Sequence, residues 1–470
     1  MAASLSVAGT PIPGLLVVRS PVHIDARGWF KEVWHREKMT ALGVPDFGPV
    51  QANLSYNARR GATRGIHAEP WDKFVTVATG RVHAAWVDLR EGESFGATYD
   101  VEIDPSVAVF VPRGVGNAYQ ALEDGTVYTY LVNDHWRSDR TYPAVNLADS
   151  TARIPWPISL DSGEAEISDK DRSNPALGEV SAMAPRRTLI LGSGGQLGRA
   201  LAATFPHATL SDSHKLDLTD RAALAKFPWG DYEVVVNAAA FTAVDEAEEP
   251  VGRRAAWALN GSVPAALAEV ADRHRLTLVH YSTDYVFDGA FIEGGHREDE
   301  AFSPLGVYGQ SKAAGDLAVA TVARHYILRT SWLIGEGANF VRTMQRLATE
   351  GKSPSVVDDQ IGRLTFVDEL SRATRHLLAV GATPGTYNVT NPGPPMSWAE
   401  IARRVFELSG RDPADVVSTT TEEYGSGRRL APRPRWSVLS LDKLGSTGFT
   451  GTDADLALRV YLSAPTAGVP

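Results

Sequence analysis

The spacing of apolar residues changes close to residue 180, and this change constrains the fold more than any other feature of the chain. Before it, short β-branched or aromatic runs fall at 15–18, 29–34, 51–56, 63–67, 73–77, 82–89, 99–103, 107–111 and 127–132. Gly, Pro, Asp and Asn separate them at intervals of roughly 8–12 residues, which predicts a sandwich or barrel. Residues 136–178 are rich in Pro and Asp and predict an irregular wrap. Beyond 187 the runs alternate between strand and helix. Strands are expected at 188–191, 233–237, 276–281 and 326–330, and helices up to 204 and at 255–272 and 311–324. Such alternation predicts a doubly wound parallel sheet. From 381 onward, short strands mix with helices such as 397–409, predicting a smaller C-terminal lobe; the tail 464–470 is expected to be mobile. The expected division is 1–180, a linker at 181–187, and 188–470.

A chain of 470 residues is too long for one core. Its net charge is −10 with no long Lys/Arg run, which argues against a nucleic-acid or anionic-membrane partner. With no cysteine there is neither a disulfide nor a thiolate metal site. No apolar run reaches the length of a membrane span, and no basic segment followed by an apolar core opens the chain, so the cytoplasm is the expected location.

Gly192-x-x-Gly195-x-x-Gly198 follows an expected strand and opens an expected helix. Side chains missing there let a pyrophosphate approach backbone N–H groups at a helix N-terminus. Asp212, near the end of the next strand, is placed for an adenosine ribose hydroxyl. Only Lys215 offers a partner for a 2′-phosphate, so NADH and NADPH both stay open. Tyr308 and Lys312 are four residues apart, hence on one face if helical. An ammonium beside a phenol favours the phenolate and lowers the Tyr pKa, making Tyr308 a proton donor to a carbonyl under reduction. Ser282-Thr283-Asp284 lies between the glycine loop and this pair, and the three together point to a short-chain-type reductase.

The segments 195–198, 236–245, 281–289 and 308–312 resemble dTDP-4-dehydrorhamnose reductase. The likeness continues through Arg329-Thr330-Ser331-Trp332, Asn339-Phe340, Asp359-Gln360-x-Gly362 and Arg433-Pro434. Leu364 departs from the family's Pro. The resemblance implies that Tyr308 protonates the alkoxide at C4 of a keto-sugar. Lys312 would lower the Tyr pKa and bind the nicotinamide ribose, and Thr283 would hold the carbonyl oxygen. Gly192, Gly195, Gln196, Leu197, Gly198, Asp212, Asp217 and Ala238, Ala239 and Ala240 would hold the cofactor, with Mg²⁺ left open in this half. Asp284, Trp332, Asn339 and Arg433 would face the substrate. Core packing is the simpler expectation for a lone Trp, and a turn cap is as good a reading of Asp284.

In the first half, Arg64-Gly65-Ile66-His67 ends a strand shortly before Lys73. A lone His is more often structural than catalytic. Its companions change that balance: Asp25-x-Arg27-Gly28-x-Phe30, Gln51-x-Asn53-x-Ser55, Val87-Asp88-Leu89-Arg90, Val111-Pro112-x-Gly114 and Ile167-Ser168-Asp169-Lys170-Asp171. In that order they resemble dTDP-4-dehydrorhamnose 3,5-epimerase, a jelly-roll cupin without a metal. No HxH follows, since Ala68 and Glu69 come after His67, so no metal is expected here. Epimerisation beside a ketone removes an α proton and returns one on the other face, work suited to a His base near neutral pH. The resemblance implies a His67/Asp171 dyad, Lys73 on the enolate oxygen and Tyr130 as proton donor. It puts Arg27, Glu32, Gln51, Asn53, Arg64, Asn117, Trp136 and Lys170 on the nucleotide sugar. Asn117 replaces a site His, Trp136 a second Tyr, and Thr141 a Glu.

The sequence therefore reads as a cupin-like β jelly roll fused to a Rossmann-type α/β reductase. Its expected function is 3,5-epimerisation and C4 reduction of a dTDP-linked 4-keto-6-deoxyhexose to dTDP-L-rhamnose with NADPH or NADH. The epimerase family pairs two jelly rolls, so a homodimer through residues 1–180 is expected. One alternative keeps only the reductase active, with a degenerate or single-carbon epimerase. Another, of a different class, is a nucleotide-sugar-binding regulatory protein.

Overall fold

The structure, a computed structural model, describes residues 4–136 and 141–463. The tail 464–470 thus lies outside the described residues. Two compact units are present, Met1–Pro185 and Arg186–Pro470.

The first unit is an antiparallel sandwich. One sheet runs in the order Ser6–Gly9, Leu16–Arg19, Val107–Val111, Lys73–Thr79, Thr126–Val132, Gln51–Asn57. The other runs Thr63–His67, Val115–Ala121, Val82–Asp88, Thr98–Ile103. Val75, Val77, Ala84, Trp86, Val109, Tyr119 and Tyr128 form the core, as expected of two sheets packed face to face. Val115–Ala121 is a strand that propensity does not predict, because Gly116, Asn117 and Ala118 are poor strand formers. Pairing on both sides holds it there. The run at 29–34 is not a full strand. Gly28–Phe30 instead pairs with His23–Asp25 in an exposed hairpin.

The second unit carries a parallel sheet ordered Thr209–Ser211, Arg187–Leu191, Tyr232–Asn237, Thr277–Thr283, His325–Thr330, Gly385–Asn388. Strand residues feed cores on alternate faces, Leu189 and Leu191 on one and Ile190 on the other. The strand order reverses beside Arg187–Leu191, and such a switch point opens a crevice at the carboxyl ends of the strands. A further core of Val341, Leu364, Phe366, Ala402 and Phe406 builds the C-terminal lobe. Leu364, the departure from the family's Pro, is therefore a core side chain.

Two helices differ from expectation. The helix expected at 255–272 is Pro250–Ala256, a π-helical turn Trp257–Ser262, and Val263–His274. Pro264 has no N–H to give to the Asn260 carbonyl four residues back, so the hydrogen-bond ladder widens there. The helix expected at 311–324 is Val307–Val319. It begins earlier because Glu248 Oε1 accepts from Val307 N at 2.8 Å. Among the described residues, no helix is long and apolar enough to cross a membrane.

Candidate active sites

In the first unit, Gly65 decides the local geometry. Its φ is +120°, and a Cβ there would stand 2.5 Å from the Ala118 side chain. Only glycine lets Thr63–His67 lie this close to Val115–Ala121, with His67 directly opposite Asn117. His67 Nε2 lies 2.8 Å from Asp171 Oδ1, the imidazole partly exposed and the carboxylate buried. Asp171 sits in the short Asp169–Arg172 helix, whose cap Ser168 accepts from Asp171 N at 3.1 Å.

Lys73 is buried and ion-paired with Glu69. Its Nζ stands 5.8 Å from the centre of the Tyr130 ring. Burial, and then the Glu69 carboxylate, push the Tyr130 hydroxyl up, so it keeps its proton. Tyr128 donates to Asn117 Oδ1 at 3.0 Å. Gln51, Asn53 and Ser55 alternate with the exposed Ala52, Leu54 and Tyr56 along the edge strand. Asn53 faces Tyr130 in register, and Arg64 donates to Asn57 Oδ1 at 3.3 Å. The structure thus brings together His67, Asp171, Asn117, Lys73, Tyr130, Asn53 and Arg64. Arg27 and Glu32 are engaged elsewhere, Arg27 with Asp25 on the exposed hairpin and Glu32 with Lys38. Lys170 and Trp136 are exposed.

In the second unit, Gly192 has φ +74° and touches the backbone after Tyr232–Asn237; a Cβ on it would meet Ala239 N at 2.6 Å. A Cβ on Gly198 would meet Gly192 O at 2.2 Å. Gly195 caps the helix Gln196–Thr204. Gly192, Ala238, Ala239 and Ala240 therefore border the switch point, and the bare backbone cradle fits a dinucleotide pyrophosphate. Asp212 follows Thr209–Ser211, its Oδ1 accepting from His214 N and Lys215 N. Asp217 ties its own turn through Thr219.

Thr283 ends its strand, and its Oγ1 donates to Asp284 Oδ1 at 2.9 Å. Its hydroxyl also interacts with Tyr308. Tyr308 and Lys312 lie one turn apart in the helix, as the spacing predicts. Their electrostatic relation is the opposite of the expected one. Burial pushes the Tyr308 hydroxyl up, and the Asp284 carboxylate adds to the rise. Burial draws the Lys312 ammonium down to about 8, opposed by Asp316. Lys312 Nζ donates to the Tyr281 carbonyl at 2.5 Å. Desolvation of both groups outweighs any pull of the ammonium on the phenol.

Asn339 and Trp332 both make packing contacts. Asn339 caps Phe340–Thr349 through Arg342 N, while its amide nitrogen donates to Gly335 O and Tyr461 Oη. Trp332 stacks on Trp398 at 3.9 Å, as the packing reading expects. Arg433 is held by Asp245 at 2.8 Å and lies near Tyr285, whose ring meets Tyr308 edge-on.

A family model described as RmlD substrate binding domain matches residues 186–463, and one for dTDP-4-dehydrorhamnose 3,5-epimerase matches residues 9–179. The chain belongs to both families. The epimerase unit is 46% identical to an RmlC homolog of Streptococcus pyogenes, across 37% of this chain and 90% of that one. The reductase unit is 36% identical to dTDP-4-dehydrorhamnose reductase of Mycolicibacterium smegmatis, across 56% of this chain and 81% of that one. It is also similar to the crystal structure of the Bacillus anthracis reductase in complex with NADP. There the identity is 32% and the TM-score 0.54, over 59% of this chain and 98% of that one.

Sequence reasoning passed over several residues in both units. Glu69 of the epimerase unit was read only as the lack of a second His, yet it is the partner of Lys73. In the reductase unit, Asn260 donates to Phe241 O and Ser311 Oγ from the π-helical turn, a placement with no signal beyond Pro264. Asp316, four residues after Lys312, was legible as a helix neighbour and was missed. Among the described residues, no group of three or more His, Asp or Glu is placed to hold a metal ion, and Mg²⁺ gains no support.

Proposed function

We propose that this chain catalyses two consecutive steps, inverting C3 and C5 of dTDP-4-dehydro-6-deoxy-D-glucose and then reducing C4 to give dTDP-L-rhamnose. The observation that carries the reading is the pairing, on one chain, of a His67–Asp171 dyad beside Lys73 and Tyr130 with a Thr283–Tyr308–Lys312 set at a dinucleotide cradle. With Nε2 engaged by Asp171, Nδ1 of His67 takes the proton α to the ketone. Asp171 fixes the tautomer and stabilises the imidazolium. Lys73 faces the developing enolate oxygen. Tyr130, held protonated by burial, returns a proton on the opposite face.

In the reductase unit, a nicotinamide cofactor supplies the electron pair and the hydrogen that reach C4. Tyr308 protonates the C4 oxygen and Thr283 hydrogen-bonds it. Lys312 and the cradle position the cofactor. The Bacillus anthracis relative was solved with NADP, and Lys215 stands three residues beyond Asp212; NADPH is the form proposed.

The epimerase unit is proposed to pair with a second copy. Its edge strand Gln51–Asn57 turns polar residues inward and the exposed Leu54 and Tyr56 outward, and the hairpin exposes Ile24 and Phe30. An edge with apolar side chains turned outward is a docking surface in waiting.

The deciding experiment supplies the keto-sugar and NADPH in D₂O. Deuterium at C3 and C5 of a rhamnosyl product, with NADPH oxidation needing no other protein, supports both activities. Oxidation only after an authentic epimerase is added leaves the reductase alone, and neither signal leaves a binding protein.

A further inference from the structure

In the reductase reading each reduction takes a proton from Tyr308, and a buried carboxyl lies behind the Thr283 hydroxyl that contacts it. Asp284 is 2% exposed, one carboxyl oxygen lies 2.9 Å from Thr283 Oγ1, and the carboxyl also meets the Ser437 hydroxyl. A carboxylate buried this way is costly, whereas a neutral carboxyl is not. Thr283 also interacts with the Tyr308 hydroxyl, so one hydroxyl stands between the buried acid and the phenol. The charged and titratable groups facing Asp284 are His296 from the segment that follows it, Tyr285 on its own turn and Tyr308 on the helix; the Ser437 hydroxyl faces it as well. His296 leads outward: its Nδ1 is 2.9 Å from Glu300 Oε1, on a side chain 29% exposed.

We propose that Asp284 is the proton source that recharges Tyr308, acting through the Thr283 hydroxyl, and that it is itself reloaded from solvent along His296 and Glu300. The inference rests on the reductase reading of Tyr308. As C4 gains a hydrogen with its electron pair from the nicotinamide, the C4=O π pair moves onto oxygen. That oxygen takes the Tyr308 proton. With Asp284 in its acid form, its O–H donates to Thr283 Oγ1 and the Thr283 O–H turns from the C4 oxygen to Tyr308; the phenolate takes the Thr283 proton and Thr283 takes the Asp284 proton, leaving a carboxylate that solvent reprotonates. Burial lifts the Asp284 carboxyl to about 6, so the acid form is present at mildly acidic pH. Tyr308, pushed up by burial, lies far above it, and the transfer runs downhill.

The test compares wild type, Asp284→Asn, Thr283→Val and Thr283→Ser over pH 5.5–8.5. In the wild type, kcat falls as pH rises through the Asp284 pKa. Asp284→Asn lowers kcat at least about 10-fold at the acidic end, less than the roughly 10²–10⁴-fold of an acid in contact with the reacting oxygen. It flattens the profile and leaves KM for the keto-sugar within about twofold. Thr283→Val flattens the profile likewise, and Thr283→Ser restores it. Independently, infrared difference spectra of the cofactor-free protein carry a carboxylic C=O band that titrates with pH and is missing in Asp284→Asn. A persistent pH limb in Asp284→Asn, a raised KM with unchanged kcat, or an unchanged infrared band overturns the proposal. Tyr308→Phe separates the two levels, since wild-type turnover in that variant overturns the reductase reading itself.

Discussion

Asp316 lies one helical turn beyond Lys312 and accepts from Arg329 Nε at 3.1 Å, with both side chains of the pair almost fully buried. The carboxylate faces two cations, one on its own helix and one on the neighbouring strand. Removing it strands Arg329 in the interior. Asp316→Ala is expected to destabilise the reductase unit by roughly 3–5 kcal/mol, the scale for breaking a buried pair from one side. Replacing both partners, in Asp316→Ala/Arg329→Met, should lose less than the single change. Urea denaturation followed by tryptophan fluorescence checks both.

Asp284 gives a stability effect with a definite sign. Its carboxyl is raised from the ordinary value to about 6, so the folded form holds the proton more tightly than the unfolded chain does. Stability from this group is full below about pH 4 and is lost as pH rises through about 6. Relative to Asp284→Asn, the wild type should lose roughly 3 kcal/mol across that window, at 1.36 kcal/mol per pKa unit. Denaturation midpoints of the two proteins, measured at intervals of pH, should diverge across the window and run parallel above it.

The His67–Asp171 contact leads to a prediction for the epimerase unit. His67→Ala should stop deuterium entering C3 and C5 of the keto-sugar in D₂O while the reductase unit still binds NADPH. Mass spectrometry reads the first outcome and cofactor fluorescence the second. Undiminished exchange removes His67 as the base.

Leu54 is 67% exposed on the outer face of the edge strand. Leu54→Lys should shift the protein from dimer to monomer in sedimentation velocity without lowering the unfolding midpoint of the jelly roll. A wild type that already sediments as a monomer removes the dimer proposal.

The chain divides between Pro185 and Arg186, and each unit is large enough for a core of its own. Cutting the gene within residues 181–186 should give two soluble proteins. The first should exchange deuterium without cofactor, and the second should bind NADPH. Mixed at high concentration they should restore the whole reaction, with a loss on dilution because tethering no longer supplies the intermediate locally. Inactivity of the mixture at every concentration overturns modularity.

Much of this architecture was legible in the chain. The strands at 63–67 and 107–111 were read to the residue, because β-branched runs between turn formers leave little choice. Val115–Ala121 was not legible as a strand, since its stability comes from two neighbours distant in sequence. The Tyr308–Lys312 spacing gave the geometry of the pair but not its electrostatics, because a spacing carries no information on desolvation. Asn339 and Trp332 matched a family pattern, but only the lobe packed around them reveals the helix cap and the ring stack.

The strand Gln51–Asn57 has a further consequence. Its odd positions line the candidate epimerase site and its even positions form the outer edge. Strand side chains alternate with a period of two, so a one-residue slip exchanges the faces. An insertion or deletion here would strip the site of its amides and bury apolar side chains in their place, while exposing Gln and Asn to any partner. The proposed substrate recognition and the proposed self-association therefore share one register, and neither can drift in evolution without carrying the other along.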